Sequence, residues 1–390
     1  MRILKWIGLT VVALALIGAA VGLWKREEIT RLLAVNSLFD ADLIAGNFSN
    51  MDDLFLTVPV DRGAGPVRAL EAGSPMTMPD GFDAWVEARS VLAAVVLKDG
   101  AVVYENYWGG TKAGDHRVSW SVAKSFLSVL AGVLVEEGAL ALDDPVTRHA
   151  PKLAGSAYEG ATVRDVLEME SGVAFDEDYL DPNSDINRMG RTIALGGTLD
   201  DFTAAITDRR APPGDSFTYV SMDTHVVGMV LRGATGRTIA DLLSEKVIVP
   251  LGLEGTPYYM ADGAGAAFVL GGLNMPTRDY ARFGQMVLDD GRVDGAQVVP
   301  ADWLAASTAW SAKTAPGALK YGYQWWAPKD ARPGEVFGQG VYGQYLWIDR
   351  EAGVVIATNG ADRGFRGAGV SDGNIAMMRA ITAAARSATE

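Results

Sequence analysis

Cysteine is absent from all 390 residues, which excludes disulfides, thiolate catalysis and cysteine-ligated zinc together. Histidine is nearly as scarce. The three present, His116, His149 and His225, are too widely spaced for an HExxH motif, so no metal and no cofactor is expected. A G-x-S-x-G elbow is also missing, which removes the Ser-His-Asp hydrolases of the α/β type. Basic residues are in deficit: 34 Lys and Arg face 48 Asp and Glu, a net charge of −14, and no Lys/Arg run of useful length occurs. Nucleic acid is therefore not an expected partner. No internal repeat and no low-complexity block interrupts the chain.

What is present is a globular composition, with 49% hydrophobic and 21% charged residues, enough for one large domain or two modest ones. One segregated apolar stretch, "WIGLTVVALALIGAAVGLW" (Trp6–Trp24), lies between Arg2 and Lys5 on one side and Lys25 and Arg26 on the other. As a helix it spans roughly 28 Å at about 1.5 Å per residue, close to a bilayer's hydrocarbon core. A cleaved signal peptide has a shorter apolar region, and tryptophan at the end suits a membrane interface. The expectation is a single-pass anchor over residues 1–25, with a cleaved signal as the alternative. Either way the body is placed outside the cytoplasm, in the periplasm or beyond.

Residues 26–83 read as an approach segment, with some helix near Arg31–Ile44 and irregular chain around Gly63–Pro66. The body, 84–390, opens with "VLAAVVLKDGAVVYENYWGG" (Val91–Gly110), two β-rich runs about Lys98-Asp99-Gly100. Thr162 with Asp165 three residues on predicts a capped helix. The region from about 140 to 290 is mainly helical. Strands return in "YGYQWW" (Tyr321–Trp326) and in "GVYGQYLWIDREAGVVIATNG" (Gly340–Gly360), which breaks at its DREAG turn, and "NIAMMRAITAAARS" (Asn374–Ser387) closes as a helix. Strands at both ends with helices between predict an α/β (α+β) fold, its antiparallel sheet assembled from the two chain ends around a helical insertion.

The chemistry centres on "HRVSWSVAKSFLSVLAGVLVEEGAL" (His116–Leu140). Ser121 and Lys124 stand one helical turn apart and share a face. Near a helix N-terminus an alkoxide forming on the serine is stabilised. Lysine accepts a proton near neutral pH only if its charged form is destabilised by roughly 4–5 kcal/mol, through burial or another cation. The apolar flank Phe126–Val135 supplies burial. An N-capping serine followed by a lysine that snorkels to water is the plain alternative. Tyr219-Val220-Ser221 forms a second box, a phenol and a hydroxyl at the end of a Pro/Gly loop, able to relay protons. Tyr104-Glu105-Asn106 copies that pattern inside a hairpin and is read as coincidence. A third box, Gly338-Gln339-Gly340, lets backbone approach a ligand closely, and an edge-strand N–H after it would complete an oxyanion hole with the N–H of Ser121.

SxxK, YxS and Gly-x-Gly in this order resemble the serine hydrolases of the penicillin-recognising superfamily, which spans class C beta-lactamases, DD-peptidases and their esterase and amidase relatives. The likeness runs from about Ala84 to the C-terminus. YxS in place of YxN brings the chain nearest to the 6-aminohexanoate-dimer hydrolase branch. The resemblance implies a beta-lactamase/transpeptidase-like fold, with Ser121 as acylated nucleophile, Lys124 as its base and Tyr219 as proton shuttle. Ser221 would support them, and the region of Gly340 with the N–H of Val341 would complete the oxyanion hole. Tyr179, Asp185, Asn274, Gln339 and Tyr342 would contact a small-molecule amide or ester substrate. Gly338-Gln339-Gly340 lacks the cation or histidine that beta-lactamases place there, which favours amide or ester hydrolysis over beta-lactam hydrolysis. The alternatives are a beta-lactamase or DD-peptidase acting on peptidoglycan peptides, or a non-catalytic binding member of the same fold. His225, four residues after Ser221, reads as core or as support.

Overall fold

The computed structural model describes residues 2–387. Helix α1 (Arg2–Trp24) is long and apolar enough to cross a membrane, a criterion that a signal sequence also meets. Backbone bonding carries across its end, with Lys25 N donating to Val21 O and Ile29 N to Lys25 O. Helix α2 (Arg26–Ser37) follows at once. The helix expected near Arg31–Ile44 thus lies earlier, and the chain after it turns through Asp40 into a short Ile44–Asn47 helix.

Two edges of the main sheet come from opposite ends of the chain. Helix α3 (Phe82–Ala88) leads into the hairpin β1 (Val91–Lys98) and β2 (Ala101–Tyr107). The middle supplies helices α4 (Ala123–Glu136), α5 (Asp185–Ala194), α6 (Ser221–Thr235) and α7 (Thr277–Leu288). Then come β3 (Lys320–Gly322), β4 (Trp325–Ala327), β5 (Glu335–Gly340), β6 (Gln344–Asp349), β7 (Val354–Gly360) and the closing helix α8 (Val370–Ser387). The order across the sheet is β2-β1-β7-β6-β5-β4-β3, every pair antiparallel. The YGYQWW run is therefore not one strand. Gln324, at φ +64°, folds it into the β3–β4 hairpin, and its buried amide donates to the carbonyls of Val166 and Leu167.

Alternation explains the layering. Val354 and Ile356 face a core shared with α3 and α8, while Val355 and Ala357 face the larger core that holds α4 and α7. Both faces are covered, so β1 is buried from Val91 to Leu97. Helix α4 is buried all round from Ala123 to Leu134. Its Phe126 stacks on Phe283 of α7 at 3.6 Å between ring centroids, tying the site helix to the sheet. Thr162 does form a capping box with Asp165, although the helix it opens is short, Val163–Leu167. Residues 26–83 are more than an approach: Ile44, Phe48, Met51 and Val60 are buried in the same core as α4.

Candidate active site

Ser121 lies in a single tight turn, Trp120–Val122, immediately before α4. The turn is strained, because Trp120 holds φ +42°, a region that costs a side-chain-bearing residue energy. Three rings surround it: Phe39 at 5.9 Å, Phe48 at 5.5 Å and Tyr342 at 6.3 Å between centroids. Packing of this density over-determines the turn and keeps the serine presented toward the cavity.

One turn on, Lys124 is only 2% exposed. Its amine donates to the carbonyl of Leu270 at 2.6 Å and to Ser221 Oγ at 3.4 Å, and sits 5.5 Å from the centre of the Tyr219 ring. Burial pulls its pKa down to about 7, against the opposing pull of Glu177 and Asp223. The amine's hydrogen bonds thus go to Ser221 and Leu270, not to Ser121 itself. Between the two stands Tyr219, whose phenol interacts with the hydroxyls of both Ser121 and Ser221. Burial raises that phenol above its ordinary value, the Glu177 charge adds to this, and the two hydroxyls oppose it. Tyr219 keeps its ring in place by stacking on Trp326 at 5.4 Å.

Two acids that the sequence pattern did not single out border this group. Glu177 accepts from the backbone N–H and, at 3.2 Å, the hydroxyl of Ser221, and from Tyr179 Oη at 2.8 Å. A carboxylate on the first N–H of α6 suits the positive end of that helix, yet desolvation outweighs its partners and raises its pKa. Asp223 is fully buried and accepts from Tyr158 Oη at 2.9 Å and Ser171 Oγ at 2.7 Å. Burial pushes its carboxyl up to about 8, which weakens its pull toward the charged form of Lys124 near neutral pH. The only sequence signal for Glu177 was the acidic run DEDY, indistinguishable from a solvated loop. Asp223 read as one more polar residue on α6.

The third box behaves as a close backbone approach, though β5 is an interior strand and not an edge. A Cβ added at Gly340 would meet Ser119 O at 2.5 Å, and one at Gly338 would meet Ser125 Oγ at 3.2 Å. These glycines let β5 run against the serine turn. Val341 and Tyr342, the latter at φ +61°, continue from it into the lining of the cavity beside Ser121. We predict that Gly340→Ala displaces the serine turn, lowering ester turnover by roughly a hundredfold and stability by about 1–3 kcal/mol, read by kinetics and thermal melting.

The remaining candidates divide. Tyr179 lines the same cavity. Asp185 does not: it caps its own surroundings, accepting from Asp176 N and Arg188, and borders an open acidic cleft on the far side of Tyr219. Asn274 is wholly buried in a small second sheet, its amide donating to Gly272 O, beneath the cavity and not in it. The Gln339 side chain points to the opposite face of β5 and bonds Tyr345 Oη at 3.2 Å, because strand residues alternate and its glycine neighbours take the site face. His225 is buried against Asp200 at 2.8 Å, a supporting pair. Glu105 of the second YEN pattern is occupied by Arg278. Among the described residues no cluster of acids and histidines suited to a metal is found.

Sheet, helices and serine turn together define a hydrolase of the beta-lactamase/transpeptidase fold. The chain belongs to the beta-lactamase family, whose model matches residues 82–369. It is 31% identical over 328 residues to the 6-aminohexanoate-dimer hydrolase of Paenarthrobacter ureafaciens, covering 79% of this chain and 83% of that one. A solved Bacillus anthracis structure with the same designation superposes with a TM-score of 0.77 at 24% identity, covering 88% of this chain and 95% of the other. The D-stereospecific amidohydrolase from Streptomyces shares the fold at a TM-score of 0.56 and 19% identity, over 72% and 94% of the two chains.

Proposed function

We propose that the protein hydrolyses an amide or ester bond of a small molecule through an acyl-enzyme on Ser121. The observation that carries this reading is the amine of Lys124, desolvated to a pKa of about 7 and one turn from the serine. Burying a lysine costs more than its bonds to Leu270 O and Ser221 Oγ return, since a Met of similar length would pack the same space.

In the forward step Ser121 Oγ attacks the carbonyl carbon. Its proton leaves toward Tyr219, and the phenol's own proton moves through Ser221 to the neutral Lys124 amine. The oxyanion is held by the N–H groups of Ser121 and Val341. On collapse, the proton returns along the same chain, and Tyr219 Oη delivers it to the departing nitrogen or oxygen. Water then repeats the sequence on the ester to release the acid. Glu177 holds Ser221 and Tyr179 in register through three accepted bonds. In the same reading α1 is a single-pass anchor that leaves the catalytic body outside the cytoplasm.

A fluorophosphonate probe tests the assignment directly. One equivalent is expected to add to the folded protein, with peptide mapping placing it on Ser121. No adduct, or an adduct on another serine of the folded chain, overturns the nucleophile and favours a non-catalytic binding member.

A further inference from the structure

Beside Ser121 lies a cavity of about 110 Å³ whose walls carry no Asp, Glu, Lys, Arg or His. Leu270, Phe268 and Met260 form one side, and Ile186, Met189 and Ile193 of α5 another. The polar side chains lining it are Ser121 and Ser221, the phenols of Tyr179 and Tyr342, the Trp120 indole, and Asn187, whose amide nitrogen already donates to the backbone carbonyls of Tyr179 and Asp181.

The remaining wall comes from the segment before the residues that the family model matches. Val35, Leu38, Phe39 and Phe55 close the cavity, and all four precede residue 82, where the family match begins. Phe39 lies flat on Tyr342, with 4.8 Å between centroids and 12° between planes. Helix α2, which carries Val35, is fastened to α5 by Arg31 Nε donating to Ala194 O at 3.1 Å. This N-terminal segment walls one side of an apolar slot beside the serine.

Which half of the substrate enters it follows from where the protons go. Tyr219, the donor to the leaving group, lines the open polar cleft on its other side and not this cavity. The leaving group therefore departs toward the cleft, and the acyl half is held in the slot. We propose that the acyl group is a neutral, linear aliphatic chain of about six carbons or more. This rests on the acyl-enzyme reading above. A charged chain end would be desolvated in the slot with no partner, whereas each methylene buried there favours binding by about fourfold.

A p-nitrophenyl ester series from acetate to decanoate, run on the detergent-solubilised full chain, tests this. The expected result is a kcat/KM that rises at least about 30-fold from acetate to hexanoate. The hexanoyl ester is expected to exceed its 6-amino analogue, which differs only by a terminal ammonium, at least tenfold. Gly190 lines the slot, and a Cβ there meets nothing within 4 Å, so a larger side chain grows into free space. Gly190→Leu is expected to lower the octanoate-to-acetate ratio at least tenfold and Gly190→Ala by less, with melting curves confirming that both fold. A flat or falling series overturns the proposal, as does equal use of the ammonium-bearing ester, or a ratio that Gly190→Leu leaves in place. Failure of the underlying reading looks different: acetate turnover would then persist in Ser121→Ala, whatever the chain-length profile.

Discussion

Replacing Ser121 by Ala is expected to lower kcat on a p-nitrophenyl ester by roughly ten-thousand-fold or more, with the protein still folded. The size follows from the mechanism. Without Oγ no acyl-enzyme forms, and the oxyanion donors and cavity alone leave a small remnant over the reaction in water. Folding is little affected, because Ser121 is part-exposed and its hydroxyl interacts with a phenol that Ser221 also serves. Circular dichroism and turnover on the same preparation make the comparison. A variant that retains more than about a tenth of the wild-type rate removes Ser121 from the chemistry.

The second large effect belongs to Lys124. As a base its amine must be unprotonated, so kcat/KM is expected to rise with pH and level off above an inflection near 7, the value to which burial lowers it. Lys124→Met is expected to lose roughly a thousandfold or more in kcat. Lys124→Arg does no better, since a guanidinium stays charged and cannot accept the proton. Stability moves the other way. The amine titrates at about 7 in the folded chain against 10.5 ordinarily, so folding expels a proton between those values. Stability from this group therefore rises with pH across that window, and the cost of burying it is complete below pH 7, at about 5 kcal/mol. Loss of the bond to Leu270 O offsets about 1–3 kcal/mol of that in the Met variant. Lys124→Met should then melt above wild type at pH 6, and the difference should shrink by pH 9. Equal melting at both pH values, or a flat rate profile, would show that the amine is not held neutral.

Legibility from the sequence followed the range of the interactions. The Ser121–Lys124 pair and the Tyr219-Val220-Ser221 box were visible because each is a spacing of two or three residues along the chain. The β6–β7 hairpin was visible for the same reason, its strands alternating about the DREAG turn. Gln339 was misplaced because the glycines of a Gly-x-Gly box take the site face and turn the residue between them away. Asn274 and Asp185 carried the right chemistry but ended in a buried sheet and at a helix start. Glu177 and Asp223 were hidden because their effect depends on desolvation, which a run of letters does not display.

Residues 26–83 mark the boundary most clearly. By composition they were an irregular approach, and nothing local tied Phe39 or Phe48 to a tryptophan at position 120. Once folded, those rings brace the strained turn of Ser121, and Phe39 with Val35 closes the acyl slot.

Taken alone, the order of residues put one hydroxyl and one amine a turn apart, because positions i and i+3 share a face, and its three boxes carried the resemblance to the hydrolase family that the chain belongs to. Tertiary structure decided the rest. The bonds that Ser221 makes, the burial of Lys124 and the shape of the cavity beside Ser121 all depend on which distant segments exclude water, and burial is a property of the assembled chain.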